Sequence, residues 1–404
     1  MNGLANGIAS GAWLTAQRLR VYSLILLGLG ILALGALLAT STGLNDYQGR
    51  PLGTDFSNVY AAGKYVLEGM PAAPFDPAFQ HKKEQEIFGE KTPFYGWHYP
   101  PIFLFLAGAL ALFPYLAALG IWQASTLALY LFSIRAIVPR AEFWLPALAF
   151  PAVLINIAHG HNGFLTAALI GGGLWLLDRK PVAAGILFGL LIYKPQFGVL
   201  IPLALVAGGY WRAFFAASAT VLLLCAASYL AFGPGVWEAF RESMTFTREI
   251  VLEKGDTGFH KIQSVFAAVR LFDGPVTLAY VVQGVVFAAV AISLAWLWRS
   301  NKPFALKAAA LIAGSMLATP YLLDYDLMIA APAIAFLAAH GLAKGFAAYE
   351  KSALAFVWIA PLLTRSLAEQ TYLPLGLFAV ILLFGMTMRR AAQDAAAFRH
   401  TANI

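Results

Sequence analysis

The chain has 404 residues, of which 60% are hydrophobic, 14% aromatic and only 12% charged, with a formal net charge of +7. Soluble domains carry about 25% charged residues, and no soluble domain of useful size fits between the apolar runs here. Positive charge is dispersed at the ends of those runs, where Lys and Arg mark cytoplasmic boundaries, and forms no patch of the kind a nucleic acid needs.

Runs such as 21–40 and 276–298 exceed the roughly 18 apolar residues that span a bilayer. The pattern predicts an all-α polytopic membrane protein. The run 21–40 is too long for the core of a cleavable leader and reads as an uncleaved first span. The lone cysteine, Cys225, lies in an apolar run. It can form neither an internal disulfide nor a metal cluster, and reads as a core residue.

Arg18 and Arg20 place the N-terminus in the cytoplasm, which makes 45–100 a long extracytoplasmic loop. The next run, 101–138, is too long for one span, and two spans would put Arg135 and Arg140 outside. The sequence therefore predicts a short surface helix at 101–113 and one span at 116–134, so that the first outer region covers 45–114. Arg179 with Lys180, Arg212, Arg299 with Lys302, Lys344 with Lys351, and Arg389 with Arg390 then all become cytoplasmic. The result is about twelve spans with both termini inside, in the plasma (inner) membrane.

Two predicted spans, 181–193 and 195–209, give roughly 20 Å of helix against a hydrocarbon core near 30 Å. Short helices at membrane depth persist only when packed in protein or facing water. A water-accessible depression is expected at their junction, where Lys194 stands. The second outer loop, 233–275, has an amphipathic pattern with Trp237, Phe240, Met244 and Phe246 or Ile250 on one side. It is expected to lie along the membrane surface.

In this topology the out-of-place polar residues share the outer face: Asp55, then GWHYPP (96–101), AHGHNG (158–163), YKPQ (193–196), FHKIQSVFAAVR (259–270) and TPYLLDYD (319–326). Ionisable groups at membrane depth cost about 3 kcal/mol and are usually retained for function. Each also has a plain reading. Asp55 could cap a helix, as could Asp324 and Asp326. The histidines of HGHNG form a polar turn more readily than a two-ligand metal site. Lys194 could snorkel to the interface.

The ordered set of GTDFSNVYAAG, FDPAFQ, YGWHYPPIFLFL, HGHNGFLTAALI, YKPQFGVLIPL, KIQSVFAAVRLF and ATPYLLDYDLMI resembles glycosyltransferase family 87 over about 51–337, as part of a single domain spanning 1–404. This family includes polyprenyl-phosphate-mannose-dependent α-mannosyltransferases. One departure is His161, where the family commonly has Gln, so Asn162 rather than His161 is the candidate in that turn. The resemblance implies a GT-C-like fold and an inverting transfer with Asp55 as base. The donor would be a polyprenyl-phosphate sugar, with no cofactor and no metal, and the acceptor an extracytoplasmic glycan or glycolipid.

The chemistry points the same way: a sugar hydroxyl needs a base near the acceptor, and a departing phosphate needs fixed positive charge. Lys194 is the candidate phosphate ligand, with Arg270, Lys261 and His260 as helpers. His98, Tyr99, His159, Asn162, Gln196, Gln263, Tyr321 and Asp324 are candidate pocket residues. Two other classes fit the composition. A twelve-span transporter would show related halves and polar residues at mid-membrane, and neither is seen. A GT-C-fold polymerase or ligase would differ in its acceptor.

Overall fold

The computed structural model describes residues 2–401. Among them every regular element is helical, and β pairing is confined to isolated bridges such as Ile262–Leu323. Helix α1 (Asn2–Ser10) leads into α2 (Ala16–Ala39), whose start is capped by Thr15 accepting from the Arg18 amide at 3.2 Å. The segment read as the first outer region contains α3 (Thr54–Leu67), α4 (Pro77–Phe88) and α5 (Leu104–Leu110), followed by α6 (Tyr115–Ile137). The run 101–138 thus folds as one short helix followed by one long apolar helix. Helix α3 lies directly on α5, because a Cβ on Gly63 would stand 2.1 Å from the Ala107 carbonyl oxygen.

Helices α7 (Trp144–Leu148) and α8 (Pro151–His159) meet at a 52° bend and lead into α9 (Gly163–Leu176). The two short predicted spans are α10 (Pro181–Leu190), extended by a 3-10 turn, and α11 (Pro195–Gly198) with α12 (Ile201–Ala207). They are packed in protein: α10 rests on α13 (Trp211–Phe232), and a Cβ on Gly185 would lie 2.4 Å from the Ala213 carbonyl oxygen. Small residues let helices approach this closely within a membrane.

The segment read as the second outer loop holds α14 (Pro234–Phe246), a π-helical turn at Thr247–Glu253, and α15 (Val265–Leu271). Phe240 meets the edge of Phe75 at 5.8 Å, Phe246 that of Phe94 at 6.4 Å, and Thr247 bonds His98, so this loop docks on the first one. Met244, on the apolar side of that pattern, is 48% exposed.

After α16 (Val276–Arg299) comes α17 (Phe304–Ala318), apolar all round and buried along almost its whole length. A helix of that kind belongs at the core of a large assembly. Around it pack α16, α18 (Ala330–Lys344) and α21 (Leu375–Thr401). Helices α19 (Glu350–Ile359) and α20 (Thr364–Thr371) complete the chain order.

Among the described residues six helices are long and apolar enough to cross a membrane, seven if α7–α8 is one broken span. Five shorter apolar helices accompany them. The chain is therefore a polytopic helical membrane protein. Cys225 is half-buried and free rather than fully in the core.

Candidate active site

Two left-handed glycines let distant segments meet. Gly53 (φ 73°) precedes α3, and Gly160 (φ 63°) ends α8. A Cβ on Gly160 would stand 2.6 Å from the Phe56 Cβ and 3.2 Å from the Gly53 Cα. Glycine is the residue that tolerates both the positive φ and the close approach. The contact is pinned from α6: the Tyr115 hydroxyl donates to the Leu52 carbonyl and the Trp122 indole N–H to that of Gly160 at 3.1 Å. Beside it, Thr54 Oγ1 and His159 Nδ1 lie 2.7 Å apart.

Asp55 sits in the first turn of α3, inside the N-cap position held by Gly53, so it is not the cap the sequence also allowed. Its residue is half-buried, yet its Oδ2 is wholly shielded and has no hydrogen-bond partner. Burial raises the Asp55 pKa from 3.8 to about 7. Lys194 and then Arg365 oppose that rise, while Asp324 and Asp326 reinforce it. Four charges from three separate segments therefore surround one carboxyl.

Those four charges form two ion pairs. Lys194 donates to Asp326 Oδ1 at 2.7 Å, with both side chains under a tenth exposed. Its ammonium also lies 3.1 Å from His161 Nε2. The other ring nitrogen, Nδ1, lies 3.3 Å from Asn156 Oδ1 and 3.2 Å from the Gly163 amide nitrogen. Burial, Lys194 and His159 together keep that ring neutral. Asn156 in turn donates to the Tyr325 carbonyl at 3.0 Å, which ties the HGHNG turn to the DYD turn. Arg365 grips Asp324 through two N–H donors, the Nη2 contact being 3.1 Å.

Other predicted residues divide sharply. Asn162 donates to the Tyr99 hydroxyl at 2.7 Å, and Tyr99 and Tyr321 both feel the Asp55 charge after the dominant effect of burial. These residues, with His159, join the centre. His260 lies near the Asp324–Arg365 pair: besides burial, the charges acting on it are Glu369, Lys261, Arg365 and Asp324. Lys261 is half-buried beside it.

Three of the remaining candidates are committed elsewhere. Arg270 donates to the carbonyls of Gly274 at 2.7 Å and Glu253 at 3.1 Å and lies over Phe259, so its guanidinium closes the second loop. Gln263 gives its amide to the His260 carbonyl and accepts from Gly376. Both ends of its side chain are occupied by main chain. His98, which burial lowers to about 4, bonds Thr247 and joins the two outer loops. Gln196 is half-buried next to the Lys194 turn and shows no hydrogen bond. Lys194 itself is 6% exposed, so the expected open depression at its junction is a sealed ion pair.

Sequence reasoning missed Arg365 and Tyr325, set His161 aside in favour of Asn162, and weighed Asp326 as a cap. Arg365 did leave a signal: a lone arginine in the polar stretch TRSLAEQT, at a predicted outer end where positive charge is unusual. Tyr325 left none, although its ring centroid lies 3.7 Å from that of His161. Among the described residues no group of three or more His, Cys, Asp or Glu is placed to hold a metal ion.

A carboxyl that exchanges its proton near neutrality, without a local partner, suits a general base. The sequence model of glycosyltransferase family 87 matches residues 97–320. The match takes in Tyr99, His161, Asn162, Lys194 and Lys261, whereas Asp55, Tyr321, the DYD turn and Arg365 lie outside it. No curated protein and no solved structure matches the chain. Because the matched segment is more than half of the sequence, the chain belongs to glycosyltransferase family 87 and is a membrane glycosyltransferase.

Proposed function

We propose that the protein transfers a hexosyl group, plausibly mannosyl, from a polyprenyl-phosphate carrier to a hydroxyl of an extracytoplasmic lipid or glycan, with inversion. The observation that carries the reading is the shielded, unpartnered Oδ2 of Asp55 with its pKa near 7. In the proposed step the acceptor hydroxyl loses its proton to Asp55 as its oxygen bonds the anomeric carbon. The bond from that carbon to the donor phosphate oxygen breaks, and the electron pair leaves on the polyprenyl phosphate. One base suffices, and no covalent sugar-enzyme forms.

Phosphate binding falls to the mouth of the site rather than to Lys194, whose charge is matched by Asp326. Arg365 is the best-placed cation there. Its side chain is 35% exposed, and its grip on Asp324 uses Nε and Nη2, leaving Nη1 outside that pair. Lys261 and His260 are its neighbours. Lys194 then acts as a positioning residue, holding Asp326 and His161 and moderating the Asp55 pKa.

We read the site as extracytoplasmic and both termini as cytoplasmic in a plasma (inner) membrane, from the Lys and Arg at span ends. The twelve-span reading counts the six long helices, the bent α7–α8 pair, the four short helices Gly163–Leu176, Pro181–Tyr193, Pro195–Ala207 and Phe304–Ala318, and the α19–α20 segment. The test is transfer of labelled sugar from a synthetic polyprenyl-phosphate donor. Asp55→Asn should lower turnover by about 10²–10⁴-fold while leaving the protein folded, the range a positioned base supplies. A folded Asp55→Asn protein with full turnover would refute the assignment.

A further inference from the structure

A second recess of different character lies at the other end of the molecule. A crevice of about 1520 Å³ separates the first half of α2 from the body. Helix α6 begins at Tyr115, beside the Asp55 turn, but lines the crevice only from Tyr130 onward, roughly 22 Å further along its axis. Helix α18 likewise follows the Asp324 turn and contributes Ala331 and residues beyond it. On α6 the crevice and the Asp55 centre therefore occupy opposite ends, while α18 lines the crevice from Ala331 at its start to Leu342.

Its walls are apolar, and the small side chains of Ala331, Ala335 and Ala338 keep the α18 wall low. The opening is fixed by the fold rather than left by a loose helix. The Trp13 indole donates to Ser352 at 2.8 Å, Ser352 donates to the Ile8 carbonyl at 2.7 Å, and the Tyr349 amide donates to that of Ala9 at 2.7 Å. At its rim stand Arg20, Arg140 and Lys351 against a single acid, Glu142. Arg140 is 3.8 Å from Glu142, whereas Arg20 and Lys351 have no ion-pair partner among the described residues. An apolar slot with excess cations at one end matches an amphiphile with two hydrocarbon chains and an anionic head.

We propose that this crevice is a binding site for one anionic phospholipid, with its acyl chains between α2 and α18 and its phosphate among Arg20, Arg140 and Lys351. A zwitterionic lipid could fill the slot but would not answer the surplus positive charge. The inference needs only a bilayer, so it stands apart from the transferase chemistry proposed above.

The test is native mass spectrometry of the full chain in detergent, titrated with phosphatidylglycerol or with phosphatidylcholine of the same acyl chains. Wild type should retain phosphatidylglycerol at concentrations lower by about tenfold or more. The Arg20→Gln, Arg140→Gln, Lys351→Gln variant should bind both lipids equally. Ala335→Phe with Ala338→Phe, which fills the apolar wall and leaves the cations, should lose both, and circular dichroism reports whether either variant is folded. Equal retention of the two lipids by wild type would overturn the proposal. So would undiminished phosphatidylglycerol binding by a folded, wall-filled variant, which would place the lipid on the outer surface instead.

Discussion

Lys194→Met keeps the length of the side chain and removes only its ammonium. Asp326, 1% exposed, would then hold a carboxylate stripped of its 2.7 Å partner and left with the Leu323 amide at 3.2 Å. His161 Nε2 would lose its donor as well. Removing one member of a buried pair costs about 3–5 kcal/mol, because the surviving charge stays desolvated and unanswered. Replacing both members relieves that penalty, so Lys194→Met with Asp326→Asn should be more stable than either single variant. The coupling in a double-mutant cycle should approach about 2–3 kcal/mol, the upper part of the range for contacting residues. Equilibrium unfolding of the four detergent-solubilised proteins measures it directly. Additivity within about 0.5 kcal/mol would show that the pair is not a unit, and the account of Lys194 as a positioning residue would fall. A second readout separates packing from electrostatics. Lys194 is the strongest influence holding the Asp55 pKa down, and Asp326 is a weaker one pushing it up. The pH midpoint of kcat/KM should therefore rise in Lys194→Met and come part of the way back in the double variant.

Three further outcomes follow from the site and its supports. Because the Asp55 pKa is raised from 3.8 to about 7, kcat/KM should climb with pH and level off above about 7. Its contribution to stability has the opposite sense: it is complete below 3.8 and lost as pH rises through 7, so Asp55→Asn should flatten that decline in unfolding measurements. Arg365→Lys keeps the charge but loses the forked grip on Asp324. It should lower kcat/KM for the lipid-phosphate donor by at least about tenfold, whereas unchanged kinetics would remove Arg365 from the site. Glu84, which burial raises from 4.5 to about 8, accepts from the Tyr95 amide at 2.9 Å behind the first outer loop. Glu84→Gln should match wild type in melting temperature near pH 5 and exceed it above pH 8, and a difference independent of pH would contradict that assignment.

How far the sequence could be read depended on whether a feature was local. The apolar runs, the short helix before α6 and the polar turns announced themselves through run length, proline, glycine and isolated polar residues. Partner choice did not. Lys194 finds Asp326 across 132 positions, and Arg365 finds Asp324 across 41. Which acid serves which cation depends on the 3-10 turn Asp324–Ile329. With three residues per turn, side chains two apart point about 120° away from each other. One short turn therefore answers cations on two different elements, whereas the DYD spelling alone suggested a pair of helix caps. The pairing also decides the charge of the site. With Lys194 matched to Asp326 and Arg365 to Asp324, the remaining member is Asp55, and its own proton sets the balance near neutrality. In the proposed mechanism, a donor phosphate entering that space is repelled by an ionised Asp55 and attracted through the loop-borne Lys261 and the free edge of Arg365. Donor binding and base ionisation are thus in opposition, and occupancy by an anionic donor should push the Asp55 midpoint upward. Comparing the pH dependence of kcat with that of kcat/KM tests this, because kcat reports the donor-bound enzyme: its midpoint should be the higher of the two.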